Sequence, residues 1–149
     1  EKHVYAIRPG AEGDISLKSG ETKNKYIAWY DRRAGPYNPS PLVYRDEFYT
    51  LFDFGFLGCR DAKTGEVHYD KERINPEKAT GFTASPWAYR GHVFALSEAG
   101  DTFVFKAGKE YKLVRVNHTG GMSMANPALV GDRLLLRNQT HLFSIREKN

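Results

Sequence analysis

The chain has 149 residues, of which 40% are hydrophobic and 27% charged. That is enough for one real core, and no apolar run approaches the length of about 18 residues that a membrane-spanning helix needs. The formal charge of +4 comes from 22 basic against 18 acidic residues scattered along the sequence, and Arg32-Arg33 is the only basic doublet. Nucleic-acid binding wants basic residues gathered on one face, so this distribution argues against it.

A single cysteine, Cys59, excludes an internal disulfide and a cysteine-based zinc cage, and in a strand it reads as a buried, inert thiol. No basic segment followed by an apolar one opens the chain, so either the protein is cytoplasmic or a leader lies outside these residues.

The first predicted strand, at residues 3–8, reads polar, apolar, aromatic, small, Ile, Arg, and so does the stretch at 140–146. Residues 9–24 are rich in Gly, Ser, Lys and Glu and read as a loop, with a short strand expected at Asp14-Ile15-Ser16-Leu17. Residues 26–30 supply an outer strand, and 31–39, with Gly35-Pro36 and Asn38-Pro39, lead to the next sheet.

From 40 to 69 the sequence falls into four short apolar runs. Turn signals at Arg45-Asp46, Asp53-Phe54-Gly55 and the stretch 61–65 separate them. Runs of about five or six residues are strand length, so this is a four-stranded antiparallel meander.

The unit recurs. Ser40-Pro41-Leu42 is answered by Ser85-Pro86-Trp87 and Asn126-Pro127-Ala128, with the prolines 45 and 41 residues apart. A period near 40 with four strands per repeat is the pattern of β-propeller blades. A second complete meander follows at 86–116, with strands at 87–89, 93–97, 102–106 and 111–116. The last repeat, 127–146, has three strands.

The fold class expected is therefore all-β: a single partial propeller with a half blade at 1–30, blades at 40–70 and 85–116, and a three-stranded blade at 126–146. Open blade faces need covering, so the expected partners are the remaining blades of a larger propeller, further copies of this chain, or another protein.

Cys59, Asp61, Thr64, Gly65, Glu66 and Tyr69 stand at the spacing of an eleven-residue turn motif. Asp can accept backbone N–H groups across such a turn, Thr can do so more weakly, and Gly takes the left-handed position. These residues resemble the signature of pyrroloquinoline-quinone-type propeller repeats, Ala-x-Asp-x-x-Thr-Gly-x-x-x-Trp, with Cys in place of Ala and Tyr in place of Trp. The wider blade pattern is similar to secreted quinone-like propellers of bacteria, a kinship that extends to the outer-membrane assembly lipoprotein propeller. The resemblance implies a periplasmic or extracellular location and, in most such proteins, no bound cofactor.

Two functions compete. The first is a non-catalytic module for protein or ligand binding, using the long outer-to-inner loops that share a rim with the second-to-third turns. Arg32, Arg33, Tyr37, Asn38, Phe82, Thr83, Met122, Ser123 and Met124 are its candidate contacts. The alternative is a quinone-dependent dehydrogenase whose active site lies in other blades. Inner strands here offer Asn38 and Asn126 but no carboxylate, and Trp87 is more simply a packing residue.

The five histidines show no metal-ligand spacing, and no catalytic set is nominated. The triplets Asn117-His118-Thr119 and Asn138-Gln139-Thr140 fit the glycosylation pattern only by coincidence.

Overall fold

The computed structural model describes residues 2–75, 77–78 and 80–147. Thirteen strands and no helix are found among them. β1 (Val4–Ile7) and β2 (Ile27–Asp31) form a two-stranded antiparallel sheet. β3 (Leu42–Tyr44), β4 (Glu47–Phe52), β5 (Phe56–Asp61) and β6 (Val67–Arg73) form a four-stranded meander. A second follows from β7 (Trp87–Tyr89), β8 (His92–Leu96), β9 (Asp101–Lys106) and β10 (Leu113–His118). β11 (Ala128–Val130), β12 (Arg133–Arg137) and β13 (Leu142–Ile145) make a three-stranded sheet.

The prolines mark corresponding edges of successive sheets. The residue before each one ties its sheet to the next: Ser40 N donates to Ser85 Oγ at 2.9 Å, and Ser85 N donates to Asn126 Oδ1 at 2.8 Å. The chain is thus an all-β series of propeller blades, two with four strands and one shorter blade on each side of them.

The expected strand at Asp14-Ile15-Ser16-Leu17 is absent. Asp14 Oδ1 accepts Ser16 N at 2.9 Å, and Asn24 Nδ2 donates to the carbonyls of Ile15 and Ser16 at 3.1 and 3.2 Å. Side chains satisfy the backbone there, so no ladder forms. The outer strand expected at 111–116 runs instead from Leu113. Tyr111 stands outside it, its ring 5.5 Å from Phe105 and its hydroxyl donating to Arg73 O at 3.1 Å.

The main core lies between the second and third sheets, where Tyr49, Leu51, Leu57, Cys59 and Tyr69 meet Val93, Ala95, Phe103 and Phe105. A smaller cluster of Ala84, Leu96 and Leu136, flanked by Trp87 and Phe143, joins the third to the fourth. Cys59 is buried, and removal from water pushes its thiol up to about 12.

The 61–65 turn is built by its side chains. Asp61 Oδ1 accepts Lys63 N at 2.9 Å and Thr64 N at 2.7 Å, which, with Thr64 the largest contribution, holds its carboxyl below the usual range. Gly65 N closes the turn on Asp61 O at 2.9 Å, and exposed Glu66 donates its N–H to Thr64 Oγ1 at 3.2 Å. Gly65 has φ +77°, and Trp29 covers it so closely that a Cβ would stand 2.6 Å from Trp29 Cγ.

Trp29 Nε1 donates to Ala62 O at 2.9 Å, so the outer strand of one blade docks on the turn of the next. Alongside, Arg60 Nη1 bonds Asp31 Oδ2 at 3.0 Å and its guanidinium lies 5.3 Å from the Trp29 ring. Burial alone would raise the Asp31 carboxyl; the Arg33 N–H and the Arg60 guanidinium outweigh it and hold the group low.

Candidate functional site

The loops entering each blade and the turns between its second and third strands are tied together on one rim. Tyr37 N and Asn38 N donate to the two oxygens of Asp53 at 2.7 and 2.8 Å. Phe82 N donates to Asp53 O and Glu98 N to Gly81 O, both at 2.9 Å. One repeat later Ser123 N donates to Glu98 O at 3.0 Å and Gln139 N to Met122 O at 2.8 Å. Residues 81–82 and 122–123 are therefore bonded to the turn behind and the turn ahead, which leaves little backbone freedom at those positions.

This stitching sorts the candidate contacts. Phe82 and Ser123, both 0% exposed, are corrections to the expected contact surface. Their backbone bonds turn the side chains inward, and Phe82 packs on Phe103 at 5.9 Å. Thr83 is half-buried and spends its hydroxyl on Glu98 Oε1 at 2.7 Å. Arg32 and Arg33 are exposed where the first loop leaves β2, and Arg33 N donates to Asp31 Oδ1 at 2.7 Å.

Tyr37, Asn38, Met122 and Met124 remain on the outside. Tyr37 is 73% exposed and carries the Lys2 ammonium 3.9 Å above its ring. It borders a cleft of about 580 Å³ whose walls include Asn38, Phe52, Phe54, Phe82 and Glu98. Met122 and Met124 line a second hollow of about 420 Å³ with Arg137, Asn138 and Gln139.

Sequence reasoning placed the Asp53-Phe54-Gly55 turn on the rim but named no candidate contact in it. In the fold Asp53 organises the first loop and Phe54 is 82% exposed, the most exposed large apolar side chain of the rim. The signal was available: an aromatic residue at a turn tip has no folding reason to be there. Asn138 is buried, its Nδ2 donating to Gly120 O at 2.9 Å and its Oδ1 accepting His141 N at 2.7 Å, so its glycosylation triplet is structural.

Among the described residues no three His, Cys, Asp or Glu side chains gather as a metal site, and no helix is long and apolar enough to cross a membrane.

No family model and no curated protein matches the sequence. Among solved structures the chain is similar to BamB from Moraxella catarrhalis, with 12% identity over 76% of this chain and a TM-score of 0.40. The match spans 47% of the BamB chain, about half its length.

Proposed function

We propose that the chain is a non-catalytic propeller module that binds another protein through its loop rim. One observation carries this: Tyr37, Phe54, Met122 and Met124 stand exposed on loops and a turn that hydrogen bonds hold in place. Aromatic and Met side chains are enriched in interface cores, and rigid presentation lowers the ordering cost of binding. Tyr37 and Phe54 share one cleft and Met122 and Met124 another, and exposed apolar side chains gathered in this way mark contact sites more often than scattered ones do.

The repeat motif around Asp61 supports membership among quinone-type repeats, and with it a periplasmic or extracellular setting where the remaining blades or other copies cover the open sheets. The dehydrogenase alternative gains no favouring contact. Asn126, one of its two candidate asparagines, spends Oδ1 on the neighbouring blade.

A photoreactive phenylalanine analogue at position 54, expressed in the native host, tests the rim. Adducts of one defined mass are expected from position 54 and absent when the analogue replaces Val67 on β6. Equal labelling from both positions, or none from position 54, overturns the proposal.

A further inference from the structure

The seams between blades are not alike. Between the second and third sheets Tyr44 Oη accepts Gly91 N at 3.0 Å and Tyr49 Oη accepts Gly108 N at 2.8 Å. The Tyr69 ring meets Tyr111 edge-on at 5.7 Å, closing the outer part.

The proline offsets carry Tyr44 to Tyr89, Tyr49 to Phe94 and Gly91 to Asp132 at the next seam. Among the described residues no hydrogen bond joins Tyr89 to Asp132, and Tyr89 is 45% exposed. Phe94 has no hydroxyl to give and instead lies flat against Trp87, centroids 5.2 Å apart at 11°.

What the repeat closes at one seam is thus a cleft of about 370 Å³ at the next. That volume falls within the usual range for small-molecule sites, about 300–1,000 Å³. The stacked Trp87–Phe94 pair forms one side of the cleft, with Leu129, Leu134 and Ile145 also lining it. Three arginines and two acids belong to its lining. Arg90 Nη1 is matched by Glu147 at 2.7 Å, and Arg133 has Asp132 at 3.8 Å and Ser144 Oγ at 3.0 Å. Arg146 has no acid within ion-pair distance among the described residues.

We propose that this cleft binds a small aromatic carboxylate, its flat body packed on the open side of the stacked Trp87–Phe94 pair and its anion on Arg146. An aromatic face, an aliphatic lining and one uncompensated guanidinium match that chemistry. The cleft is bordered by Arg90 and by the hinge turn at Gly131-Asp132, not by the rim loops, so its failure would leave the rim proposal standing.

The test is a titration of the intact chain with 2-naphthoate, followed through the two indole N–H signals in a nitrogen–proton correlation spectrum. The Trp87 signal should move saturably, while that of Trp29, bonded to Ala62 O, stays in place. Arg146→Gln should weaken binding about tenfold or more, as expected for loss of a charge-assisted hydrogen bond. Leu134→Phe, which fills the cleft, should abolish it. No saturable change at Trp87, equal movement of both indoles, equal binding of uncharged 2-naphthamide, or unchanged affinity in Arg146→Gln overturns the proposal.

Discussion

Replacing Gly65 by Ala probes the docking of one blade on the next, and the structure gives the parts of its cost. The backbone is left-handed at φ +77°, which burdens an L-residue by about 1–2 kcal/mol. The new Cβ would also stand 2.6 and 2.8 Å from Trp29 Cγ and Cδ2, so the indole has to move. Moving it breaks the Nε1 bond to Ala62 O, worth about 1 kcal/mol, and re-exposes part of a large ring, worth about 1–2 kcal/mol more.

Gly65→Ala should therefore destabilise by about 3–5 kcal/mol on these terms. Gly131→Ala is the control, because φ is +59° and nothing lies within 4 Å of the place its methyl group would take. It should cost only the backbone share, about 1–2 kcal/mol. Urea unfolding followed by circular dichroism measures both, with the comparison repeated in a Trp29→Ala background. There the cost of Gly65→Ala should fall to that of Gly131→Ala. Equal costs in the parent chain, or a Gly65→Ala cost that Trp29→Ala leaves unchanged, would refute the docking argument.

Asp31→Asn leaves the largely buried Arg60 side chain without its carboxylate and should cost about 1–3 kcal/mol by denaturant unfolding. Because folding lowers the Asp31 value, its contribution is present above the ordinary 3.8 and is lost as pH falls through the lower folded value. The variant should lack that part of the acid sensitivity. Tyr49→Phe removes the acceptor of the Gly108 N–H, and that amide should exchange its hydrogen faster while amides in β9 change less. Cys59 is raised from 9.0 to about 12, so the unfolded chain loses the proton first and stability falls as pH rises through that interval. Cys59→Ala should make that fall shallower, measured as the difference between the two unfolding curves.

Within each blade the strands were largely legible from the sequence, because a hairpin is written in neighbouring residues. The hinge Arg90-Gly91 has φ of +44° and +80°, and alternation on either side fixes which side chains face the core. Contacts between blades were less so. Trp29 and Ala62 are 33 residues apart, and their bond depends on how successive sheets are turned.

A trace of the Trp29 contact was nevertheless present. Trp29 pairs with Ala6 as Tyr69 pairs with Cys59, so the two aromatic residues hold corresponding places in their sheets, although the 9–24 loop separates Trp29 from its partner strand. The inward turn of Phe82 and Ser123 had no such trace. Loop composition does not say which side chains the stitching bonds pull under the rim.

The apolar side chains at the rim and those at the seam between the third and fourth sheets differ in physical origin. On the rim, Tyr37 and Phe54 lie outside a frame whose backbone groups are paired, so their exposure costs the fold little and can persist without a partner. At the seam between the third and fourth sheets, Phe94 stands where Tyr49 stands one repeat earlier and, with no hydroxyl to bond the next sheet, stacks on Trp87. Adding groups to the rim should change what binds there while leaving stability nearly constant. Filling the seam should raise stability and remove ligand binding together, since the same vacant volume serves both.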